Sequence, residues 1–281
     1  MMLCYLIGYP VGHSMSAAMH NEAFRELGLN YRYDLRSVSP EELNEFIDGE
    51  LRKPNVRGAN VTIPYKVSVV DLVDEVDVAA RRIGAINTIV NERGRLKGYN
   101  TDGLGAIRAL EESYGSLHGV KAVIIGAGGA ARAIACHLSS TAEELKILNR
   151  TLSKAKKLAD SISELSGCMT HITAMPFHRD CLVRALGGAD ILINATSVGM
   201  KPNIDASPVE GGLLRPDLFV FDIVYNPPRT RLLKDAELAG ASTLSGVNML
   251  VYQGAASFRI WTGVDAPEDL MARVVIEALG E

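Results

Sequence analysis

Short apolar runs alternate along this chain with longer amphipathic stretches. Leu3–Ile7 predicts a strand. Ser16–Leu27 predicts a helix, with Ser16 as its N-cap and Gly28 just past its end. Tyr31–Ser37 reads as a second strand, and Pro40–Asp48 as a helix whose opening glutamates suit the positive end of its dipole. Ala59–Ile63 and Ala85–Asn91 are further short strands. A second series follows: strand Val120–Ile125, helix Gly129–Leu138, strand Leu145–Leu148, helix Ser153–Glu164 and a weak strand Met169–Thr173. Strands Asp190–Asn194 and Phe219–Val224 and helix Arg229–Ala239 complete it. This alternation marks an α/β fold with mostly parallel sheets. The rhythm then changes, because Val247–Trp261 and Pro267–Leu279 are helices with no strand between them. The chain is therefore expected to leave the second sheet near Gly246 and pack back on the first. Two α/β domains are expected, residues 1–102 completed by 246–281, and residues 103–245, with a cleft between them for ligands.

The 281 residues can bury two modest cores. Lys and Arg number 29 against 33 Asp and Glu, a net charge of −4, which disfavours the clustered basic footprint of nucleic-acid binding. The 47% hydrophobic and 22% charged residues are a globular balance, not a disordered one. The longest apolar stretch, Ala122–Ala131, falls far short of the ~18 residues of a membrane span. The opening MMLCYLIGYPVGHS lacks the basic start of a secretory signal. Cys4, Cys136, Cys168 and Cys181 form no CxxC pair and no metal-ligand spacing. They read as small buried hydrophobes in a reduced, cytoplasmic protein without a metal site.

The strand KAVII runs into GAGGAARA and then a helix, so Gly126, Gly128 and Ala131 fit G-x-G-x-x-[GA]. Gly126 allows the tight turn, Gly128 the close approach of a pyrophosphate, and Ala131 close packing of helix on strand. The strand before and the helix after supply the context that a lone match lacks. The next strand ends in Asn149-Arg150-Thr151, with Lys154 one turn into the following helix. An NAD site would offer a carboxylate there. A guanidinium, a hydroxyl and an ammonium instead fit a 2′-phosphate, so NADP is expected.

Elsewhere polar residues gather at strand ends: Ser14 and Ser16, Asn60 to Lys66, Asn87-Thr88, and Asn100 to Gly103. Such hydroxyls and amides suit a small polyhydroxylated substrate. Lys66 and Asp102 are the acid/base pair able to move the proton that accompanies hydride transfer at a carbinol carbon. On the helix Val247–Trp261, residues 247, 250, 251, 254 and 258 form a core stripe. Met249 and Gln253 share a neighbouring face that can look into the cleft.

These segments resemble the shikimate dehydrogenase family over essentially the whole chain. The likeness rests on GYPVGHSMS with MHN at 8–21, GANVTIPYK at 58–66, GAINT at 84–88, YNTDG at 99–103 and GAGGAARA at 126–133. NRT at 149–151, NATSVGM at 194–200, DIVYNP at 222–227 and GVNMLVYQ at 246–253 extend it. It implies reversible NADPH-dependent reduction of 3-dehydroshikimate to shikimate, on the chorismate route to aromatic amino acids, with a C-terminal Rossmann-like cofactor domain. It further implies Lys66 and Asp102 as the catalytic pair. Ser14, Ser16, Asn60, Thr62, Asn87, Tyr225 and Gln253 become substrate contacts. Gly126, Ala127, Gly128, Gly129 and Ala130 become the phosphate loop, and Asn149, Arg150, Thr151 and Lys154 the 2′-phosphate clamp. Thr196, Ser197, Ile223, Gly246 and Met249 become the wall toward the nicotinamide. Two positions depart from the family pattern: Ala17 stands where a proline is usual, and Lys154 where an arginine is frequent.

Three alternatives remain at this stage. A quinate/shikimate dehydrogenase with broader cofactor use differs mainly in substrate and in the clamp. A methylene-tetrahydrofolate dehydrogenase-like enzyme would leave the Ser-x-Ser and Asn-Thr-Asp-Gly segments unexplained. A non-catalytic NADP-sensing module would need no Lys66–Asp102 pair. Monomer and homodimer are both compatible with the sequence.

Overall fold

The computed structural model describes residues 1–165 and 168–280. It divides into two compact units, Met1–Gly105 with Leu250–Glu281, and Ala106–Met249. The first unit opens with β1 (Met2–Gly8), α1 (Ser16–Glu26) and β2 (Tyr31–Ser37). The short α2 (Leu43–Glu45) continues as a π-helical turn over Phe46–Glu50. Then come β3 (Val56–Val61), β4 (Glu75–Val76), α3 (Val78–Ile83) and the hairpin β5 (Thr88–Glu92) with β6 (Arg95–Tyr99). α4 (Asp102–Tyr114) carries the chain into the second unit. There follow β7 (Lys121–Ile125), α5 (Gly129–Leu138), β8 (Glu144–Asn149), α6 (Leu152–Ser163), β9 (His171–Pro176) and α7 (Arg179–Leu186). β10 (Ile191–Asn194), β11 (Phe219–Asp222), α8 (Arg231–Leu238) and β12 (Ser242–Ser245) complete that unit's strands and helices. α9 (Gly246–Thr262) returns to the first unit, and α10 (Glu268–Leu279) packs on α1. Both unit boundaries thus fall inside helices, a few residues beyond the positions read from the sequence.

The first sheet has the order β2-β1-β3-β5-β6-β4. β5 runs antiparallel to β3 and β6, and the remaining pairings are parallel. The second sheet, β12-β11-β10-β7-β8-β9, is parallel throughout. Its strand order reverses between β7 and β10, the switch point where open α/β sheets bind ligands at the carboxyl ends of their strands. β10 and β11 are buried at every residue, which explains why ILIN and FVFD are apolar runs capped by one polar residue.

Local details depart from the sequence reading. Ser16 is not the N-cap of α1 but its first helical residue, and its N–H donates to the Ser14 hydroxyl at 3.2 Å. Gly28 does lie just past the helix, at φ 62°. The expected helix at Pro40–Asp48 is largely a turn followed by the π-helical segment. No disulfide forms among the four cysteines; Cys4 and Cys181 are buried, while Cys136 and Cys168 are half-buried.

His20 of α1 is fully buried, stacked on Tyr33 with centroids 4.6 Å apart and flanked by Phe24, Phe258 and Trp261. Neither ring nitrogen has a hydrogen-bond partner. Burial pushes its pKa down to about 3, so the folded protein keeps the ring neutral. The unfolded chain takes up a proton below about 6.5, so falling pH favours unfolding across that window by about 1.4 kcal/mol per unit. His20→Leu is therefore expected to flatten the loss of stability between about pH 6 and pH 3. Urea midpoints measured across that range check it; a variant as acid-labile as the parent contradicts it.

Candidate active site

Four loops of the first unit leave from one edge of its sheet. β1 and β3 are parallel neighbours, with Ile7 opposite Val61, so the segments carrying Ser14 and Lys66 emerge together. Thr88 at the start of β5 lies opposite Asn60, and it also lies opposite Tyr99 at the end of β6. Asn87, just before the antiparallel β5, and Asp102, just after the end of β6, therefore reach the same edge. This is why residues so distant in sequence meet.

Lys66 Nζ donates to Asp102 Oδ2 at 2.6 Å. The two side chains are 17% and 4% exposed, so little water screens the pair. Asp102 opens α4, and its own N–H donates to Asn100 Oδ1 at 3.1 Å. Asn87 Nδ2 donates to Asp102 Oδ1 at 3.0 Å and also lies 2.8 Å from Thr101 Oγ1 and 3.2 Å from Gln253 Oε1. The Asn87 Oδ1 accepts from the Thr101 N–H and the Thr88 hydroxyl. A bivalent amide thus fixes the carboxylate from behind while the ammonium holds it in front.

Asn60 is committed internally. Its Oδ1 accepts from the Tyr33 hydroxyl at 2.8 Å, and its Nδ2 faces Asn87 O, Thr88 Oγ1 and Ser257 Oγ within 3.1 Å. Ser14 and Ser16 form a separate hydroxyl pair 3.1 Å apart. Thr62 is half-buried in the loop after β3 that also carries Lys66, and its N–H donates to Ile7 O. Ser257 went unnoticed in the sequence; a lone serine on an apolar helix carries no signal until β5 is placed against it.

In the second unit the strand order sends Gly126, Arg150, Thr196, Ile223 and Gly246 to the carboxyl edge of the sheet. Gly126 has φ 120°, which its turn requires of glycine. α5 begins at Gly129 with no side-chain cap, leaving its first N–H groups to an anion. A Cβ on Gly128 would meet nothing within 4 Å, so space stands open there. Arg132, on the first turn of α5, keeps a buried Nε with no partner, and burial pulls its pKa down. An uncapped helix start, an open glycine and an orphaned guanidinium nitrogen fit a pyrophosphate. Arg150, Thr151 and Lys154 are exposed after β8, and Asn149 Nδ2 donates to Thr151 O at 2.9 Å. Tyr225 and Met249 also lie in this unit, whereas Gln253 lies in the first.

Family models match in three consecutive stretches. Residues 6–89 match the shikimate dehydrogenase substrate binding domain, 108–236 the shikimate / quinate 5-dehydrogenase domain, and 246–276 the shikimate 5′-dehydrogenase C-terminal domain. The shikimate dehydrogenase (NADP(+)) of Methanopyrus kandleri is 50% identical over 277 residues, covering 98% of this chain and 94% of its own. The chain belongs to the shikimate dehydrogenase family. A solved shikimate dehydrogenase in complex with NADP+ superposes with a TM-score of 0.91 at 44% identity, covering 100% of this chain and 96% of its own. The Thermus thermophilus shikimate 5-dehydrogenase in complex with NADP(H) and shikimate has a TM-score of 0.86 at 35% identity, covering 99% and 100%.

Within this shikimate dehydrogenase family chain, further buried polar residues escaped the sequence reading. Asn194 ends β10 and Asp222 ends β11, both fully buried, with Asn194 Nδ2 donating to Asp222 Oδ1 at 2.9 Å. Their sequence signal was a polar residue closing an apolar run. Among the described residues, no group of three or more His, Cys, Asp or Glu is placed to hold a metal, and no helix is long and apolar enough to cross a membrane.

Proposed function

We propose that this chain catalyses the reversible NADP-dependent interconversion of shikimate and 3-dehydroshikimate, within aromatic amino-acid biosynthesis. The observation that carries the reading is the shielded Lys66–Asp102 pair, backed by Asn87. In the reduction direction the Lys66 ammonium gives its proton to the carbinol oxygen as the carbonyl carbon is reduced. In oxidation the neutral amine removes that proton from the ring hydroxyl. Asp102 holds Lys66 in position and stabilises it when charged. Ser14 and Ser16 bind the substrate carboxylate, and Asn60, Thr62, Asn87, Tyr225 and Gln253 surround the ring. NADP(H), when bound, supplies or accepts the hydride. The loop 126–130 would hold its pyrophosphate, and Arg150, Thr151, Lys154 and Asn149 its 2′-phosphate. Thr196, Ser197, Ile223, Gly246 and Met249 would line its nicotinamide end. The absence of a disulfide among the four cysteines fits a reducing, cytoplasmic setting.

The test is turnover of the purified chain with shikimate against quinate, each with NADP+ and NAD+. Shikimate with NADP+ is expected to win. Quinate with NAD+ turned over equally well would move the chain to the broader quinate/shikimate reading. Arg150→Ala is expected to raise the KM for NADP+ about tenfold or more, with NAD+ little changed, because only the former has a 2′-phosphate to lose. Equal losses for both cofactors would overturn the clamp.

A further inference from the structure

Asp222 is a fully buried carboxylate that accepts from three uncharged donors. Burial pushes its carboxyl up to about 6, against the pull of its hydrogen bonds. A fold that needed only packing at this point would be served better by an apolar side chain. What Asp222 gathers is three donors from three segments. Oδ1 accepts from Asn194 Nδ2 at 2.9 Å and from the Val224 N–H at 3.1 Å. Oδ2 accepts from the Thr230 hydroxyl at 2.7 Å.

The network continues outward. Asn194 Oδ1 accepts from both the Thr196 N–H, at 3.1 Å, and the Thr196 hydroxyl, at 2.6 Å. The Thr196 Oγ1 in turn accepts from the Val198 N–H. The Asn194 amide therefore stands between the carboxylate and the loop carrying Thr196 and Ser197. Through the Val224 N–H the same carboxylate sets the loop carrying Ile223 and Tyr225. A Cβ on Gly246 would come within 2.1 Å of Ile223 O, so the start of α9 rests directly on that second loop.

We infer that Asp222 is a positioning residue that, through Asn194 and the Val224 N–H, sets the two loops lining the nicotinamide end of the cofactor site. The inference rests on the proposed NADP reading. It assigns Asp222 no contact with the cofactor. Its influence is confined to one end of the nucleotide, because no hydrogen bond runs from this network to Arg150, Thr151 or Lys154 among the described residues.

That confinement is what the experiment reads. Asp222→Asn keeps the shape and replaces an acceptor oxygen by an amide that must face donors. Binding of NADP+, of adenosine 2′,5′-bisphosphate and of shikimate is measured separately, together with kcat. The variant is expected to lose about tenfold or more in kcat and in NADP+ affinity. Adenosine 2′,5′-bisphosphate is expected to bind within about twofold of the parent, since it uses neither loop, and shikimate, which meets only Tyr225 of them, is expected to weaken less than NADP+. Thr230→Val, which removes one donor, is expected to give the same pattern in weaker form, and decides the matter should Asp222→Asn not fold. Unchanged NADP+ affinity and kcat would overturn the inference. Equal weakening of NADP+ and the bisphosphate would also overturn it, marking Asp222 as general support for the unit. A parent that binds no NADP+ and turns over no shikimate would instead sink the underlying reading.

Discussion

Lys66→Ala is expected to lower kcat about 10³-fold, within the range that a positioned proton donor contributes, while the KM for shikimate changes much less. The ammonium sits 2.6 Å from Asp102 in a site that excludes most water, so its proton is presented along a fixed direction. Its charge matters most when negative charge grows on the carbinol oxygen, and that happens only in the transition state. On the proposed reading, ground-state binding draws instead on the serine pair and the surrounding amides. The variant also leaves a nearly buried carboxylate without its cation, so a thermal melt must accompany the kinetics. A variant with raised KM and unchanged kcat would make Lys66 a binding residue and remove it from proton transfer.

The second large effect separates two glycines of the cofactor unit. A Cβ on Gly128 meets nothing, so Gly128→Ala is expected to leave the melting temperature unchanged and to weaken NADP+ binding about tenfold or more, by occupying the space a pyrophosphate needs. A Cβ on Gly246 would stand 2.1 Å from Ile223 O and 2.5 Å from Ile223 C, both backbone atoms. Gly246→Ala is therefore expected to cost on the order of 3 kcal/mol of stability as well as cofactor binding, because backbone must move. Paired melts and NADP+ titrations check both. A destabilised Gly128→Ala, or one with parental NADP+ affinity, would mean that the open space above the loop serves no ligand.

The legible parts of this chain were those in which one physical rule dominated. α5 spans Gly129–Leu138 as its pattern predicts, and β2 spans Tyr31–Ser37, because periodicity and glycine punctuation agree there. The β5–β6 hairpin was missed. Its turn places Arg93 at φ 57° before Gly94 at φ 90°, a left-handed position where Asn or Asp is the usual signal. α4 was missed because Gly103 and Gly105 in its first turns read as a loop, although Asp102 opens the helix. β12 is the edge strand STLS, too short and polar to announce itself. In the site, Lys66 and Asp102 could be named as partners by chemical type. The amide of Asn87 behind Asp102 could not, because its placement depends on the antiparallel β5, which reverses the chain at that edge. Asp222 escaped for a related reason: its donors come from the end of β10, from the backbone two residues on and from the residue that caps α8.

The central claim is that Lys66 and Asp102 work as one proton-handling unit. The most direct test is the single-turnover rate of reduced-cofactor formation from saturating shikimate and NADP+, for Lys66→Ala, Asp102→Asn and the double variant. The double variant is predicted to react about as slowly as the slower single one, because either change disables the same unit. Losses that multiply would show two independent contributions and contradict the pair.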